Sequence, residues 1–223
     1  MASVEEQTNV VGKGLSSLEA VRFYLITDKK RLPTGTFFEA LESALKGGAR
    51  SIQLREKDLA PDCLRGLAKK VKVLTNQYGA SLFINSHADI AGEVGAEGVH
   101  LTELGPSARE IRRRYPQLLI GVSTHSLEGV REAKEQGADF VTFGPVFETP
   151  SKKKYGPPQG LDRLQEISQS VAIPIVALGG IKLDHVTTVL DHGAFGVAMI
   201  SAVWDSENIE GTTSDFIKSV YRR

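Results

Sequence analysis

A two-residue phrase, glycine then alanine, stands before four apolar runs, at Gly48-Ala49, Gly95-Ala96, Gly137-Ala138 and Gly193-Ala194. Glycine ends a helix in the left-handed conformation at little steric cost, and the small alanine after it lets the chain re-enter a sheet closely. Successive phrases are separated by about twice the length of one strand-plus-helix unit, so the phrase marks every second unit of an internal repeat. With the unmarked runs between them, the strands read as residues 23–27, 51–54, 82–84, 99–101, 118–122, 140–143, 173–178 and 195–200. Amphipathic patterns separate them. Phe37, Leu41, Ala44 and Leu45 share one helical face, as do Leu64, Leu67, Ala68, Val71 and Leu74. Pro61-Asp62 and Ser107 supply helix starts. Eight strands alternating with helices predict an α/β fold, a single closed (β/α)8 TIM barrel, rather than a doubly wound sheet.

Length and composition fit that reading. A chain of 223 residues with 41% hydrophobic content buries one sizeable core. The barrel domain is expected over residues 21–223, with residues 1–20 a loosely ordered extension. That leader carries acids early and no apolar signal core, which predicts a cytoplasmic protein. Twenty-seven basic and 27 acidic side chains cancel, so no long-range field recruits nucleic acid or an anionic membrane. No apolar run approaches the roughly 20 residues that span a bilayer. The one cysteine, Cys63, excludes an intramolecular disulfide and fits a reducing compartment; it is expected to pack as a small apolar group. A homo-oligomer is compatible with all of this.

In such a barrel the working face is built from the carboxyl ends of the strands. Here those ends are polar: Thr27-Asp28, Gln53 to Lys57, Asn85-Ser86-His87, His100 with Thr102-Glu103, and Ser123-Thr124-His125. The alternation Gln53-x-Arg55-x-Lys57 aims three long polar groups inward. Two cations there call for an anionic ligand, Arg55 gripping with a fork and Lys57 as a point charge. An ion-pair network with Glu56 or Asp58 is the competing reading. His125, between two hydroxyl residues at the mouth, is a candidate proton carrier near neutral pH, against a helix cap made by Thr124 and Ser126 with the histidine incidental. His185 and His192 read as surface groups.

The run IPIVALGGI, residues 173–181, ends in Gly179-Gly180, where the backbone can approach a phosphate, and residues 182–190 are expected to begin a helix that favours an anion. Ile200-Ser201, one unit on, completes the cradle, since the loops after strands 7 and 8 are a recurrent phosphate site. A turn that merely needs glycine is the bland alternative. The long connection GPVFETPSKKKYGPPQG, residues 144–160, brings Thr149, Ser151 and Lys152, and Lys152 is expected to close over the ligand unless the lysines are only a solvated run. A Mg²⁺ on a diphosphate usually takes one or two protein carboxylates. Glu103 is the sole acid on the loop after strand 4, and Asp89 is expected to cap the third helix.

Together YLITD, QLREK, GVHL, GVSTHS, GPVFET, IPIVALGGI and VAMISA resemble the thiamine phosphate synthase superfamily from strand 1 to strand 8. That resemblance implies one barrel serving two enzymes. The synthase joins a pyrimidine diphosphate to thiazole phosphate, and the thiazole tautomerase aromatises a thiazole phosphate carboxylate. For the synthase it implies an Asn-Asp pair after strand 3 and Gly-Gln-x-Asp after strand 4, whose aspartates hold Mg²⁺. This chain has Asn85-Ser86 and Thr102-Glu103-Leu104-Gly105 in those places. The tautomerase is similar in lacking those aspartates and in the phrases VFET and THS. Gln53, Arg55 and Lys57 match the synthase's diphosphate and pyrimidine residues, and His125 belongs to both branches. The main expectation is therefore a tautomerase without metal or cofactor: phosphate on Gly179, Gly180, Ile200, Ser201 and Lys152, carboxylate on Arg55 or Lys57, and a proton shuttled by His125, with Asn85, Ser123, Thr149 and Ser151 also facing the ligand. The alternatives are the synthase with Mg²⁺, Glu103 standing in as ligand, and a non-catalytic regulator that binds the same phosphate ligand.

Overall fold

The computed structural model describes residues 16–149 and 157–222. Its eight strands are β1 (Phe23–Ile26), β2 (Ser51–Leu54), β3 (Ser81–Asn85), β4 (Gly98–Leu101), β5 (Leu119–Thr124), β6 (Phe140–Phe143), β7 (Ile175–Leu178) and β8 (Gly196–Met199). All pair in parallel in sequence order, and β8 closes on β1 through Tyr24 opposite Ala198. The expected barrel is therefore the observed one. Strand 7 starts at Ile175 rather than 173, as suits a chain in which Pro174 has no amide to give the ladder.

The helices are α1 (Ser17–Ala20), α2 (Phe37–Lys46), α3 (Pro61–Gln77), α4 (Ala88–Val94), α5 (Ala108–Arg114), α6 (Leu127–Glu135), α7 (Gly160–Ser170), α8 (Val186–Asp191), α9 (Ser201–Trp204) and α10 (Ile209–Tyr221). In α2 the expected face, Phe37, Leu41, Ala44 and Leu45, is buried against the strands. In α3 the buried positions are Leu64, Ala68, Val71 and Thr75, with Leu67 and Leu74 half-buried beside them. Cys63 precedes that stripe and is exposed, so the apolar packing expected of it is not found. Asp89 is also placed differently: it is the second residue of α4, makes no capping bond, and lies 3.9 Å from Arg65. His87 holds the cap position instead.

Two hydrophobic layers result from strand alternation. Phe23, Leu25, Ile52 and Leu54 face the helices, whereas Tyr24, Phe83, Phe140, Val176 and Ala198 point into the barrel. Tyr24, Phe83 and Phe140 meet edge to face, with ring centroids 5.4 to 5.6 Å apart. Glycines make room for them. A Cβ on Gly98 would lie 2.4 Å from the Phe83 ring, and one on Gly121 would lie 2.4 Å from Phe140 and 2.6 Å from His100 Nδ1. Gly121→Ala is accordingly expected to cost about 1–3 kcal/mol through overpacking, read as a melting temperature lower by several degrees with the fold retained.

Below the barrel, α1 begins with a capping box between Ser16 and Glu19, and Tyr221 of α10 donates to the Glu19 carbonyl at 3.2 Å. Ordered, packed chain thus begins before residue 21. None of the helices among the described residues is long and apolar enough to cross a membrane.

Candidate active site

A cavity of about 680 Å³ opens at the carboxyl ends of the strands, and every strand contributes to its wall. Apolar groups, Ile26, Leu178 and Ala198, line it beside the polar ends of β2 to β6. It is a single pocket with cations on one side and glycine turns on another.

From β2, Gln53, Arg55 and Lys57 all reach this cavity, as their alternation requires. Gln53 is nearly inaccessible, however, and its amide nitrogen donates to the Tyr24 hydroxyl at 3.2 Å. Arg55 is half-buried. Desolvation presses its pKa down, while Asp28 and Glu56 act against that. The competing ion-pair network takes another form. Asp58 pairs with Lys30, and Glu56 accepts from the Thr27 hydroxyl at 2.6 Å and from the Lys29 amide. Thr27 in turn accepts from the Arg55 amide at 3.0 Å. Glu56, whose pKa burial raises, ties the end of β1 to the loop after β2.

His125 stands just past β5, exposed at the mouth, and lines the cavity. Its Nδ1 lies 2.5 Å from the Gly144 carbonyl oxygen. A carbonyl only accepts, so Nδ1 carries a hydrogen, and in the neutral tautomer that this bond selects Nε2 is the nitrogen without one. Capping is left to its neighbours: Ser126 accepts from Gly129 N at 3.0 Å at the start of α6, and Thr124 donates to Thr142 O. Of the expected Thr124 and Ser126 cap only the Ser126 half is found, since the Thr124 bond runs across to β6.

Gly179 and Gly180 have φ of 98° and 67°, the region that favours glycine. Their neighbours give the reason: a Cβ on Gly179 would fall 2.6 Å from Pro145, and one on Gly180 would fall 2.4 Å from the Glu148 carbonyl. Phe147 N donates to Gly179 O at 3.0 Å, so the β6 loop lies directly on this turn. The glycines serve close loop packing as well as facing the cavity. After them the continuous helix expected over 182–190 is split into a 3₁₀ turn, Leu183–His185, and α8. Tightening of a first helical turn is common, and here His185 stacks on Phe147 at 4.2 Å and accepts from the Lys182 amide. Ile200 precedes α9 and its carbonyl accepts from Val203 and Trp204. The earlier amides, Ser201 and Ala202, have no intrahelical acceptor. Both residues line the cavity with Ile200.

Asn85, Ser123 and Thr149 also line it. Asn85 donates to the hydroxyl of Ser86, a residue held at φ 65°. Ser151 and Lys152 lie outside the described residues. His100, one of the polar strand ends, is fully buried on β4, and two groups not singled out by sequence join it, the Tyr24 hydroxyl beneath it and Thr142 on β6. Inward parity on β1 and β6 is the signal that points to those two.

Two carboxylates, Asp28 and Glu103, line the cavity. Asp28 is bonded to Arg31 at 3.1 Å, and Glu103 accepts from the His125 amide at 3.3 Å. Ser86 and Gly105 occupy the two places where the resemblance implies metal aspartates. Among the described residues no cluster of three or more His, Cys, Asp or Glu is arranged to hold a metal.

Residues 23–203 match the family model described as thiamine monophosphate synthase. A Geobacter sulfurreducens protein provisionally named thiamine-phosphate synthase is 48% identical over 181 residues, covering 81% of this chain and 85% of its own. The thiamine-phosphate synthase of Pyrococcus horikoshii is 40% identical over 198 residues, covering 87% and 92%. Among solved structures, thiamine phosphate pyrophosphorylase from Pyrococcus furiosus superposes with a TM-score of 0.84 at 35% identity, over 93% of this chain and 98% of that one.

Proposed function

We propose that this thiamine-biosynthesis enzyme, whose chain belongs to the thiamine monophosphate synthase family, acts as a thiazole tautomerase, a reading that rests on the site and not on the names of its relatives. It takes a thiazole phosphate carboxylate into the barrel cavity and moves one proton to make the ring aromatic. The observation that carries the reading is Ser86 and Gly105 where the synthase resemblance implies metal aspartates, beside a His125 that lines the cavity with its Nδ1 on the Gly144 carbonyl, which leaves Nε2 to act as the base. A proton leaves one carbon of the ligand for Nε2 and is returned to a second carbon. Composition and oxidation state are unchanged, so one positioned group suffices, worth roughly 10²–10⁴-fold in rate. Arg55 or Lys57 meets the carboxylate. The phosphate goes to the turns after β7 and β8, at Gly179, Gly180, Ile200 and Ser201, where barrels of this kind often bind one. The lone thiol, Cys63, suits a reducing compartment, and the cytoplasm is the proposed location.

One observation favours a second reading. The relatives carry the name thiamine-phosphate synthase, and on that reading Gln53, Arg55 and Lys57 would hold hydroxymethylpyrimidine diphosphate for condensation with thiazole phosphate. Against it stand Ser86 and Gly105, which leave the diphosphate without the carboxylate pair that resemblance leads one to expect.

Offering the purified protein both reactions separates the readings. Thiazole phosphate carboxylate should isomerise, and the pyrimidine diphosphate with thiazole phosphate and Mg²⁺ should release no diphosphate. The reverse pattern assigns condensation. Neither reaction, with thiazole phosphate still raising the melting temperature, would assign a binding regulator.

A further inference from the structure

The geometry points to a positioning device beneath the cavity: Tyr24, held by Gln53, fixes buried His100 in one tautomer, and the fixed ring makes Ser123 a hydrogen-bond donor to the ligand. This rests on the reading that an anionic thiazole fills the cavity.

The argument follows single hydrogens. Gln53 Nε2 donates to the Tyr24 hydroxyl at 3.2 Å, and that hydroxyl has one hydrogen of its own to give. Tyr24 is fully buried, and His100 Nδ1 lies 3.3 Å from its oxygen. A buried donor without an acceptor is costly, so the phenol donates to Nδ1. The ring hydrogen must then sit on Nε2, which faces the Ser123 hydroxyl at 3.1 Å and that of Thr142 at 3.3 Å. Ser123 accepts there and keeps its own hydrogen for another partner. Of the two hydroxyls, Thr142 is buried and Ser123 is the more open to the cavity. Its hydrogen is the one available to the thiazole ligand.

Two further features fit this chain of bonds. Burial, aided by the Arg55 charge, pulls the His100 pKa down to about 3, so the ring stays neutral in the ordinary range and acquires no second hydrogen. Gly121 lies opposite His100 in the register, and a Cβ there would come within 2.6 Å of Nδ1, the atom the phenol needs. Tyr24 and His100 are thus positioning residues, and Ser123 is the contact. Turning the Gln53 amide over would reverse every bond, leaving the hydrogen on Nδ1 and Ser123 donating into the ring.

Two-bond proton–nitrogen correlation spectra of full-length, ¹⁵N-histidine-labelled protein read the tautomer directly. At neutral pH and without ligand, His100 should show a protonated Nε2 and a bare Nδ1. Tyr24→Phe should mix the tautomers and weaken thiazole phosphate binding about tenfold by titration calorimetry. Ser123→Ala should lose a similar amount, and the double variant no more than either. A protonated Nδ1 in the wild type, or additive losses, overturns the inference. Should Tyr24→Phe fail to fold, the wild-type spectrum still decides. Wild-type protein that binds no thiazole phosphate removes the proposed ligand, whereas the spectrum judges the tautomer on its own.

Discussion

His125→Asn should lower the turnover of thiazole phosphate carboxylate by roughly 10²–10⁴-fold, the range for losing a positioned acid–base group. Asparagine is a discriminating replacement, because its amide nitrogen can still donate to the Gly144 carbonyl that His125 Nδ1 reaches at 2.5 Å. It keeps the tether and deletes the base. The ring is exposed at the barrel mouth, outside both hydrophobic layers. Stability should therefore move by no more than about 0.5 kcal/mol. With binding groups untouched, kcat should fall and KM should hold. Product formation followed by ultraviolet absorbance of the aromatic ring checks this. Full turnover by the variant would remove His125 from the chemistry.

The second large effect is expected at Arg55. The guanidinium lines the cavity half-buried, and its lowered pKa records the desolvation the fold has imposed on it. Burying a charge is unfavourable until a counter-ion arrives. A carboxylate or phosphate that takes the fork gains a charge-assisted pair, each bond worth about 1.5–3 kcal/mol. Arg55→Met keeps length and removes charge. Affinity for the anionic ligand should fall by about 10² or more, while the melting temperature of the empty protein holds or rises. Arg55→Lys should sit between the two, since a lysine restores charge without the fork. A melting temperature that collapses in Arg55→Met would mean that the guanidinium is a structural partner of Asp28 and Glu56, and that ligand binding is not its main task.

Much of the barrel was written in local patterns. Four Gly-Ala phrases mark the entries to strands, and the periodic faces of α2 and α3 differ from strand alternation without ambiguity. Parity along β2 carried Gln53, Arg55 and Lys57 to the cavity, and strand-end polarity carried Asn85, Ser123 and His125 there. What escaped depended on distance in the chain. The Tyr24–His100 contact joins residues 76 apart, and an apolar strand such as Phe23–Ile26 gives no sign that one of its rings ends in a hydrogen-bonded network. Gly179 and Gly180 show the converse. Their left-handed backbone suited a phosphate turn, yet a close approach by Pro145 and Glu148 already demands it. Cys63 departs from the apolar packing expected of it because it falls one position before the helical face that begins at Leu64.

A crystal structure with thiazole phosphate carboxylate bound tests the central claim most directly. The account predicts the phosphate against Gly180 and Ser201, the carboxylate within reach of Arg55 or Lys57, and a ring carbon about 3–3.5 Å from His125 Nε2, as near-attack geometry requires. A ligand whose ring lies away from His125, or whose phosphate is held with a Mg²⁺ between Asp28 and Glu103, would contradict it.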